Sequence, residues 1–253
     1  MRHFGLGVGT PPWQPREMLP LGSGSPIEAT TGLILEGVTG SGKSTLLRAL
    51  QRRILDRYPN RTKLVFSEHY TERMLEHHKE EGALTEAMVL EHLGTMLEPV
   101  EKLAAMKARS KFAARGGNSN VLAIYERFLL GHVANMRMRD ERSWVLLGEA
   151  TGTLLCRVER LGFQIVVLHV PEQDLGKRVL STRAWRNQAW KDHLAQIGDD
   201  AAVVDYYCAW QRHLQSAAST LLGRSPLTVD ASMLATLADY DELATKLLSV
   251  LAW

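Results

Sequence analysis

The sequence predicts a three-layer α/β fold in which helices cover both faces of a parallel sheet. Five apolar runs rich in β-branched residues recur along the chain, and such runs are typical of strands buried on both faces. They read GLILEG, KLVFSEH, NVLAIYERF, FQIVVLHV and PLTVDAS. Segments with helical spacing separate the runs, and this alternation is typical of βαβ units.

The helical segments are identified by apolar residues that recur every three or four positions. They cover residues 44–58, 84–114, 142–161, 203–222 and 241–251. Pro99 falls inside the second segment and predicts a kink or a break, because proline has no amide hydrogen and clashes with the preceding turn. Residues 1–29 are rich in glycine and proline and have no hydrophobic period. We therefore expect a flexible N-terminal tail, followed by one domain that covers residues 30–253.

The composition indicates the cellular compartment and the classes of binding partner to expect. The 253 residues carry a net charge of +2 and no dominant basic block, so no nucleic-acid partner is expected. Cys156 and Cys208 lie far apart without metal-ligand spacing, which favours free thiols in a reducing cytoplasm. No apolar run approaches the roughly 20 residues that span a bilayer, and glycines and prolines interrupt the N-terminal segment. We therefore expect a cytoplasmic protein with no signal peptide and no membrane partner.

Residues 37–44, GVTGSGKS, match the phosphate-binding pattern G-x-x-x-x-G-K-[ST] in full and lie between a predicted strand and a predicted helix. In such a loop the glycines let consecutive amide hydrogens point inward, and the helix N-terminus adds its positive dipole. We expect the Lys43 ammonium to reach the β- and γ-phosphates and the Ser44 hydroxyl to bind Mg²⁺. The predicted ATP-binding residues are Gly37, Thr39, Gly40, Ser41, Gly42, Lys43, Ser44 and Thr45.

Nucleotide switches, ATP-driven machines and phosphotransferases all use such a loop. The D-x-x-G and N-K-x-D motifs of a GTPase switch are absent from the sequence. Mechanical ATPases usually have a strand that ends in adjacent acids, whereas the best candidate strand here ends in YERF. A transferase needs an acceptor site and cations that cover the phosphates and exclude water, and the sequence contains candidates for both.

The candidate acceptor site lies at the ends of the second and third predicted strands, where Glu68, Glu126 and Arg127 occur. Ligands of parallel α/β sheets bind beyond the carboxyl ends of the strands, so these side chains should face the phosphate loop. Glu126 is a candidate Mg²⁺ ligand, since Mg²⁺ prefers carboxylates and waters. Arg127 is a candidate for binding the acceptor or the transferred phosphoryl group. Two alternatives stay open, namely Glu68 as a helix-capping acid and Arg127 as a member of a structural ion pair.

A basic segment after the fourth predicted strand, at about residues 173–193, is predicted to form a short helical lid. Its cations are Lys177, Arg178, Arg183 and Arg186. Arg183 and Arg186 would stabilise transition-state charge in the manner of an arginine finger supplied by the same chain. The alternative is an ordinary solvated surface helix.

Four stretches in order resemble the thymidylate kinase and deoxynucleoside kinase branch of the P-loop kinases. LILEGVTGSGKST resembles the opening of thymidylate kinases, and YERF stands where this branch has an acid followed by arginine. RVLSTRAWR resembles its lid, and LTVDAS resembles the strand and turn before its last helix. The resemblance spans about residues 32–250. It implies a nucleotide kinase-like P-loop fold with a five-stranded parallel sheet, Mg-ATP as the donor, and a nucleoside or nucleoside monophosphate as the acceptor. It also implies that Glu68 accepts the proton of an acceptor hydroxyl.

The sequence departs from this branch around the acceptor. Thr39 stands where thymidylate kinases usually carry an acid, and His69 stands where the family places proline. The stretch VLEHLGTMLEPVEKL contains no arginine, although family members use one there to bind the acceptor phosphate. These departures favour an acceptor other than thymidylate, and an alcohol over a phosphate.

The predicted function is therefore that of an ATP-dependent kinase with Mg²⁺ as cofactor. Its small-molecule acceptor is a nucleoside, a nucleoside monophosphate or a nucleoside-like metabolite. Two alternatives stay open: a kinase of a non-nucleoside alcohol such as an antibiotic or a sugar, and a P-loop regulator that binds nucleotide without transferring phosphate. The oligomeric state stays open as well, with a homodimer as one option.

Overall fold

A computed structural model of the chain describes residues 30–71, 73–75, 84–109, 121–139, 148–222 and 225–251. The flexible tail predicted for residues 1–29 lies outside the described residues. So do residues 142–147, which open the third predicted helical segment, and residues 110–114, which end the second.

Five strands form one sheet in which every neighbouring pair is parallel. They are β1 (Thr30–Glu36), β2 (Lys63–Phe66), β3 (Val121–Glu126), β4 (Phe163–His169) and β5 (Leu227–Asp230). The spatial order is β2-β3-β1-β4-β5, which places the strand before the phosphate loop in the centre. Each of the five predicted runs overlaps one of these strands, so the predicted α/β fold with a five-stranded parallel sheet is confirmed.

The described helices alternate with the strands. They are α1 (Lys43–Arg57), α2 (Glu68–Thr71), α3 (Glu86–Ala108), α4 (Leu130–Arg139), α5 (Gly148–Arg160), α6 (Glu172–Ser181), α7 (Gln188–Ile197), α8 (Asp200–Leu221) and α9 (Leu237–Val250). Each of the five predicted helical segments overlaps a helix, and the predicted lid contains α6 and part of α7, whereas α2 and α4 were not predicted. Within these described ranges, no helix is long and apolar enough to cross a bilayer.

Of the kink or break predicted at Pro99, the structure shows no break, because α3 continues through this residue. Leu97 and Val100, on either side of the proline, are both fully buried in the core. Burying side chains of this size stabilises the helical conformation by about 1.5–3 kcal/mol each. This gain is large enough to offset the roughly 3 kcal/mol that an interior proline costs.

Two hydrophobic cores, one on each face of the sheet, complete the three layers. One core joins the sheet to α1 and α9 and includes Leu33, Leu35 and Leu50. The other joins the sheet to helices α3, α4, α5, α6 and α8 and includes Ile34 and Tyr125. Because successive residues of a strand point to opposite faces, the wholly apolar centre of β1 contributes to both cores.

The strand register brings three chain segments to one edge of the sheet. Leu35 pairs with Glu126, and Phe66 pairs with Tyr125, so β1, β2 and β3 end at nearly the same level. The phosphate loop follows β1, Arg127 follows β3, and α2 begins two residues after β2. These three segments therefore lie side by side at the carboxyl ends of the strands.

Candidate active site

The phosphate loop is shaped by glycines in conformations that other residues rarely adopt. Gly40 and Gly42 have φ angles of 80° and 96°, in the left-handed region. A Cβ atom at Gly40 would lie 3.2 Å from the backbone of Arg178 in α6, and one at Gly42 would clash with the Tyr240 hydroxyl. The loop is therefore packed between α6 and α9, and its sharp turns depend on glycine.

Two features of the loop fit the binding of phosphate. Among the described residues no side chain caps the first amides of α1, so they are available to an anion. The Ser41 hydroxyl is fully buried and has no hydrogen-bond partner within the described part of the chain. A buried hydroxyl of this kind is costly unless a ligand or water satisfies it. The predicted residue Thr45 lies in the first turn of α1.

Lys43 lies inside the loop, with only 4% of its surface exposed. Its ammonium donates hydrogen bonds to the carbonyl oxygens of Gly37 and Val38, at 2.7 and 2.9 Å. Burial lowers the pKa of Lys43 to about 8, and repulsion from Arg127 acts in the same direction, while nearby glutamates oppose both. The structure thus places a desolvated cation where the loop would hold phosphates.

Ser44 and Glu126 meet across the interface between α1 and β3. The Ser44 hydroxyl donates a hydrogen bond to Oε1 of Glu126, and Oε2 accepts the Glu68 backbone amide at 3.5 Å. Glu126 is 4% exposed. One hydroxyl and one carboxylate fit Mg²⁺, which binds few protein ligands and keeps several waters and substrate phosphates. No cluster of three or more histidine, cysteine or acidic side chains suited to a metal occurs among the described residues.

We expect Glu126→Gln to raise the Mg²⁺ concentration needed for half-maximal phosphoryl transfer by roughly 10-fold or more, because an amide is a weaker Mg²⁺ ligand than a carboxylate. A titration of activity against Mg²⁺ at saturating ATP measures this. The matched control is Glu172→Gln, which removes a surface carboxylate that pairs with Arg212 at 2.8 Å. An unchanged Mg²⁺ requirement in Glu126→Gln would contradict the role of Glu126 as a ligand.

Arg127 turns its guanidinium towards the phosphate loop. Its Nη2 donates a hydrogen bond to Oγ1 of Thr39 at 3.3 Å, and its Nε lies 3.7 Å from Oε2 of Glu68. The guanidinium carbon also lies 4.8 Å from the centre of the Trp210 ring, in a cation–π contact. Arg127 has a φ angle of 56°, a left-handed conformation that is uncommon for any residue other than glycine. The contacts of Arg127 are compatible with both predicted roles. Its guanidinium faces the phosphate loop, as a phosphoryl-binding residue would, and it also pairs with the carboxylate of Glu68.

Glu68 begins the short helix α2, and 21% of its side-chain surface is exposed. The end of α2 is fixed by two buried contacts at Thr71. The Thr71 hydroxyl donates to the Glu126 carbonyl oxygen at 2.7 Å, and the His132 Nε2 donates to the Thr71 carbonyl oxygen at 2.8 Å. The carboxylate of Glu68 is thus held near Arg127 and Glu126 while it stays accessible.

Two further residues line the candidate site, although the sequence did not predict them as site residues. Glu36 is fully buried at the end of β1 and accepts backbone hydrogen bonds from Phe128, Leu130 and Gly131, at 3.0 to 3.2 Å. Burial raises the pKa of Glu36, although the backbone hydrogen bonds and the nearby cations act against this. Its sequence signal was available, since LILEG places one acid at the end of an otherwise apolar strand.

Tyr207 of α8 is the second such residue. It is 3% exposed, and its hydroxyl is hydrogen-bonded to Thr39 of the phosphate loop. Burial raises the pKa of Tyr207, and the nearby cations of Arg127 and Arg186 act against this rise. Nothing in the sequence distinguishes Tyr207 from the other aromatic residues of α8.

The predicted lid is formed by α6, the turn Thr182–Ala184 and most of α7. The structure separates its two candidate arginines. Arg183 pairs with Asp200 at the surface, whereas the Arg186 guanidinium lies 4.4 Å from the Trp190 ring centre. Arg186 is also close enough to the buried Tyr207 to influence its pKa. Arg186 thus lies among aromatic side chains of the lid and of α8, whereas Arg183 pairs with the first residue of α8.

We expect Arg186→Ala to lower kcat by about 10-fold, because a cation that engages chiefly in the closed complex stabilises the transition state more than bound ATP. The matched control is Arg183→Ala, for which we expect a change of about twofold or less, since exposed ion pairs contribute little. Steady-state kinetics with the same acceptor compare the two variants. Equal losses of kcat would show that the lid acts through its total charge.

Comparisons with known proteins give a likeness of structure only. No protein-family profile and no curated protein sequence matches the chain. A solved deoxyadenosine kinase from M. mycoides with bound dCTP has 16% sequence identity to the chain and a TM-score of 0.44. The match covers 87% of this chain and 99% of that chain.

Proposed function

We propose that the chain is an ATP-dependent phosphotransferase that moves the γ-phosphoryl group of Mg-ATP to a hydroxyl of a nucleoside or nucleoside-like metabolite. The proposal rests chiefly on one observation, which is that both charged residues at the end of β3 contact the phosphate loop. Glu126 meets Ser44, and Arg127 meets Thr39. A loop that only bound a nucleotide would need neither Arg127 nor Glu126 beside the position of the terminal phosphate.

The phosphate loop binds the donor in this proposal. The amides of residues 37–45 and the start of α1 would bind the phosphate oxygens, and Lys43 would neutralise charge on the transferred group. Ser44 and Glu126 would hold Mg²⁺, which would supply positive charge beside the phosphates.

Glu68 and Arg127 serve the acceptor. A hydroxyl must lose its proton as the phosphoryl group arrives, and a carboxylate within hydrogen-bond reach accepts it. Glu68 suits this role because it is partly exposed at the edge of the sheet where the phosphate loop lies. The Arg127 guanidinium lies 3.7 Å from its carboxylate, so the two side chains can act on the same acceptor.

The absence of an arginine in the middle of α3 supports an alcohol over a phosphate acceptor. Residues 89–103 of α3 contain Lys102 as their basic residue apart from His92, and Lys102 pairs with Glu98 at the surface. An acceptor phosphate needs cations that surround it, whereas a hydroxyl needs a base. Glu68 is the candidate for that base.

A coupled assay of ADP release tests the proposed function across nucleosides, nucleoside monophosphates and unrelated alcohols such as sugars and aminoglycosides. We expect release that depends on a nucleoside or a nucleoside-like alcohol and is lost in Lys43→Ala. Release only with a sugar or an antibiotic would move the acceptor class outside the nucleosides. Release without any acceptor would indicate an ATPase, and no release at all would indicate a nucleotide-binding regulator.

A further inference from the structure

We propose that Glu36 is a positioning residue for phosphoryl transfer: its buried carboxylate fixes the turn after β3 and thereby holds Arg127 against the phosphate loop. The inference rests on the proposed function, because Arg127 can act on the acceptor or the phosphoryl group only if transfer occurs. Glu36 itself contacts backbone amides and is not placed to touch substrate.

The backbone around Arg127 is fixed on both sides. Before the turn, the Arg127 amide donates to the carbonyl oxygen of Leu35 in β1 at 2.9 Å. After the turn, Oε1 of Glu36 accepts the amides of Phe128 and Leu130 at 3.1 and 3.0 Å, and Oε2 accepts the amide of Gly131 at 3.2 Å. One carboxylate thus satisfies three amides at the entry to α4.

The conformation of Arg127 explains why such fixation is needed. Its φ angle of 56° is unfavourable for a residue with a side chain, and such a conformation persists only where surrounding contacts over-determine it. The three amides that Glu36 accepts all follow Arg127 within four residues. They are therefore the contacts that hold the chain on the far side of the strained residue.

The carboxylate also lies close to the Arg127 side chain. A Cβ atom at Gly131 would be 3.5 Å from Oε2 of Glu36 and 3.9 Å from Cδ of Arg127, so both groups line the same small space. From there the guanidinium extends to Thr39 at 3.3 Å and to Glu68 at 3.7 Å. A shift of the turn would move the guanidinium relative to both the donor loop and the acceptor base.

A capping residue with no link to catalysis would produce the same hydrogen bonds, so the test must separate stability from positioning. Glu36→Gln keeps the size of the side chain but replaces one acceptor oxygen with an NH₂ donor that faces backbone amides. If Glu36 acts through Arg127, Glu36→Gln should have little further effect on kcat in a protein that already lacks the Arg127 side chain. A double-mutant cycle measures this dependence.

The experiment measures kcat and the KM for ATP of the full chain, Glu36→Gln, Arg127→Ala and the double variant, with the acceptor that supports wild-type ADP release. We expect Glu36→Gln to lower kcat by roughly 10-fold or more while the KM for ATP changes by less than about threefold. In the Arg127→Ala background we expect the same change to lower kcat by less than about threefold. Glu101→Gln is the control, since Glu101 binds Arg157 at 2.8 Å within a separate structural contact and should act additively with Arg127→Ala.

Equal losses of kcat from Glu36→Gln in both backgrounds would overturn the inference and leave Glu36 as a cap of α4. A rise in the KM for ATP that matches the fall in kcat would overturn it too, because the whole loop would then be disturbed. If Glu36→Gln does not fold, Glu36→Asp enters the same cycle with its charge retained. A wild-type protein without acceptor-dependent transfer would refute the proposed function before any variant is measured, so the two failures are distinguishable.

Discussion

We expect Lys43→Ala to lower the rate of phosphoryl transfer by about 10²–10³-fold or more, which is the range for removing one group that stabilises transition-state charge. The ammonium lies inside the phosphate loop and contacts two of its carbonyl oxygens at 2.7 and 2.9 Å. Single-turnover kinetics with saturating ATP measure the loss directly.

The fold of Lys43→Ala should be retained. Burial lowers the pKa of Lys43 to about 8, so the folded state disfavours this charge at neutral pH and its removal relieves that cost. This relief offsets the loss of two hydrogen bonds, and we expect a melting temperature within a few degrees of the wild type. Lys246→Ala, which removes an exposed lysine paired with Glu242, is the control and should keep full activity. Normal turnover in a folded Lys43→Ala protein would refute the phosphate-loop assignment.

Glu68→Gln is expected to lower kcat by roughly 10²-fold or more, because the amide keeps the shape of the side chain and removes its basicity. The KM for ATP should change little, since the Glu68 carboxylate pairs with Arg127 at the end of β3, where the acceptor would bind. The measurement is steady-state transfer to the best alcohol acceptor found in the ADP-release screen.

The same variant decides between the two acceptor classes. A phosphate acceptor is already anionic near neutral pH and needs no base, so a near-normal kcat in Glu68→Gln would favour a monophosphate kinase. Glu98→Gln provides the control, because Glu98 is an exposed acid on α3 that pairs with Lys102 at 3.2 Å. Its kcat should equal that of the wild type.

The sheet and the phosphate loop could be predicted because their signals are local. Each strand is an apolar run with its own boundaries, and GVTGSGKS specifies a turn and a helix start within eight residues. The edge of the sheet where Glu68, Glu126 and Arg127 meet also followed from the sequence, since the ends of parallel strands share one edge.

The contacts that depend on distant partners could not be predicted. Helix α4 was missed because Leu130 follows no Ser, Thr, Asp or Asn cap, and its first amides are bound instead by Glu36, more than 90 residues earlier. The sequence groups Arg183 with Arg186 in one basic segment that resembles a lid, whereas in the structure Arg183 pairs with Asp200 of α8. These features are decided by tertiary packing, which no short window of sequence contains.

The left-handed turn at Arg127 also determines which changes of chain length this region tolerates. Neighbouring residues of a regular strand project to opposite faces, yet Glu126 and Arg127 both contact the phosphate loop. The left-handed conformation of Arg127 lets the adjacent side chains of Glu126 and Arg127 both reach the phosphate loop. An inserted or deleted residue at this point would send one of the two charges into the apolar layer beneath the sheet. The acid and the arginine must therefore stay adjacent for both to reach the phosphate loop.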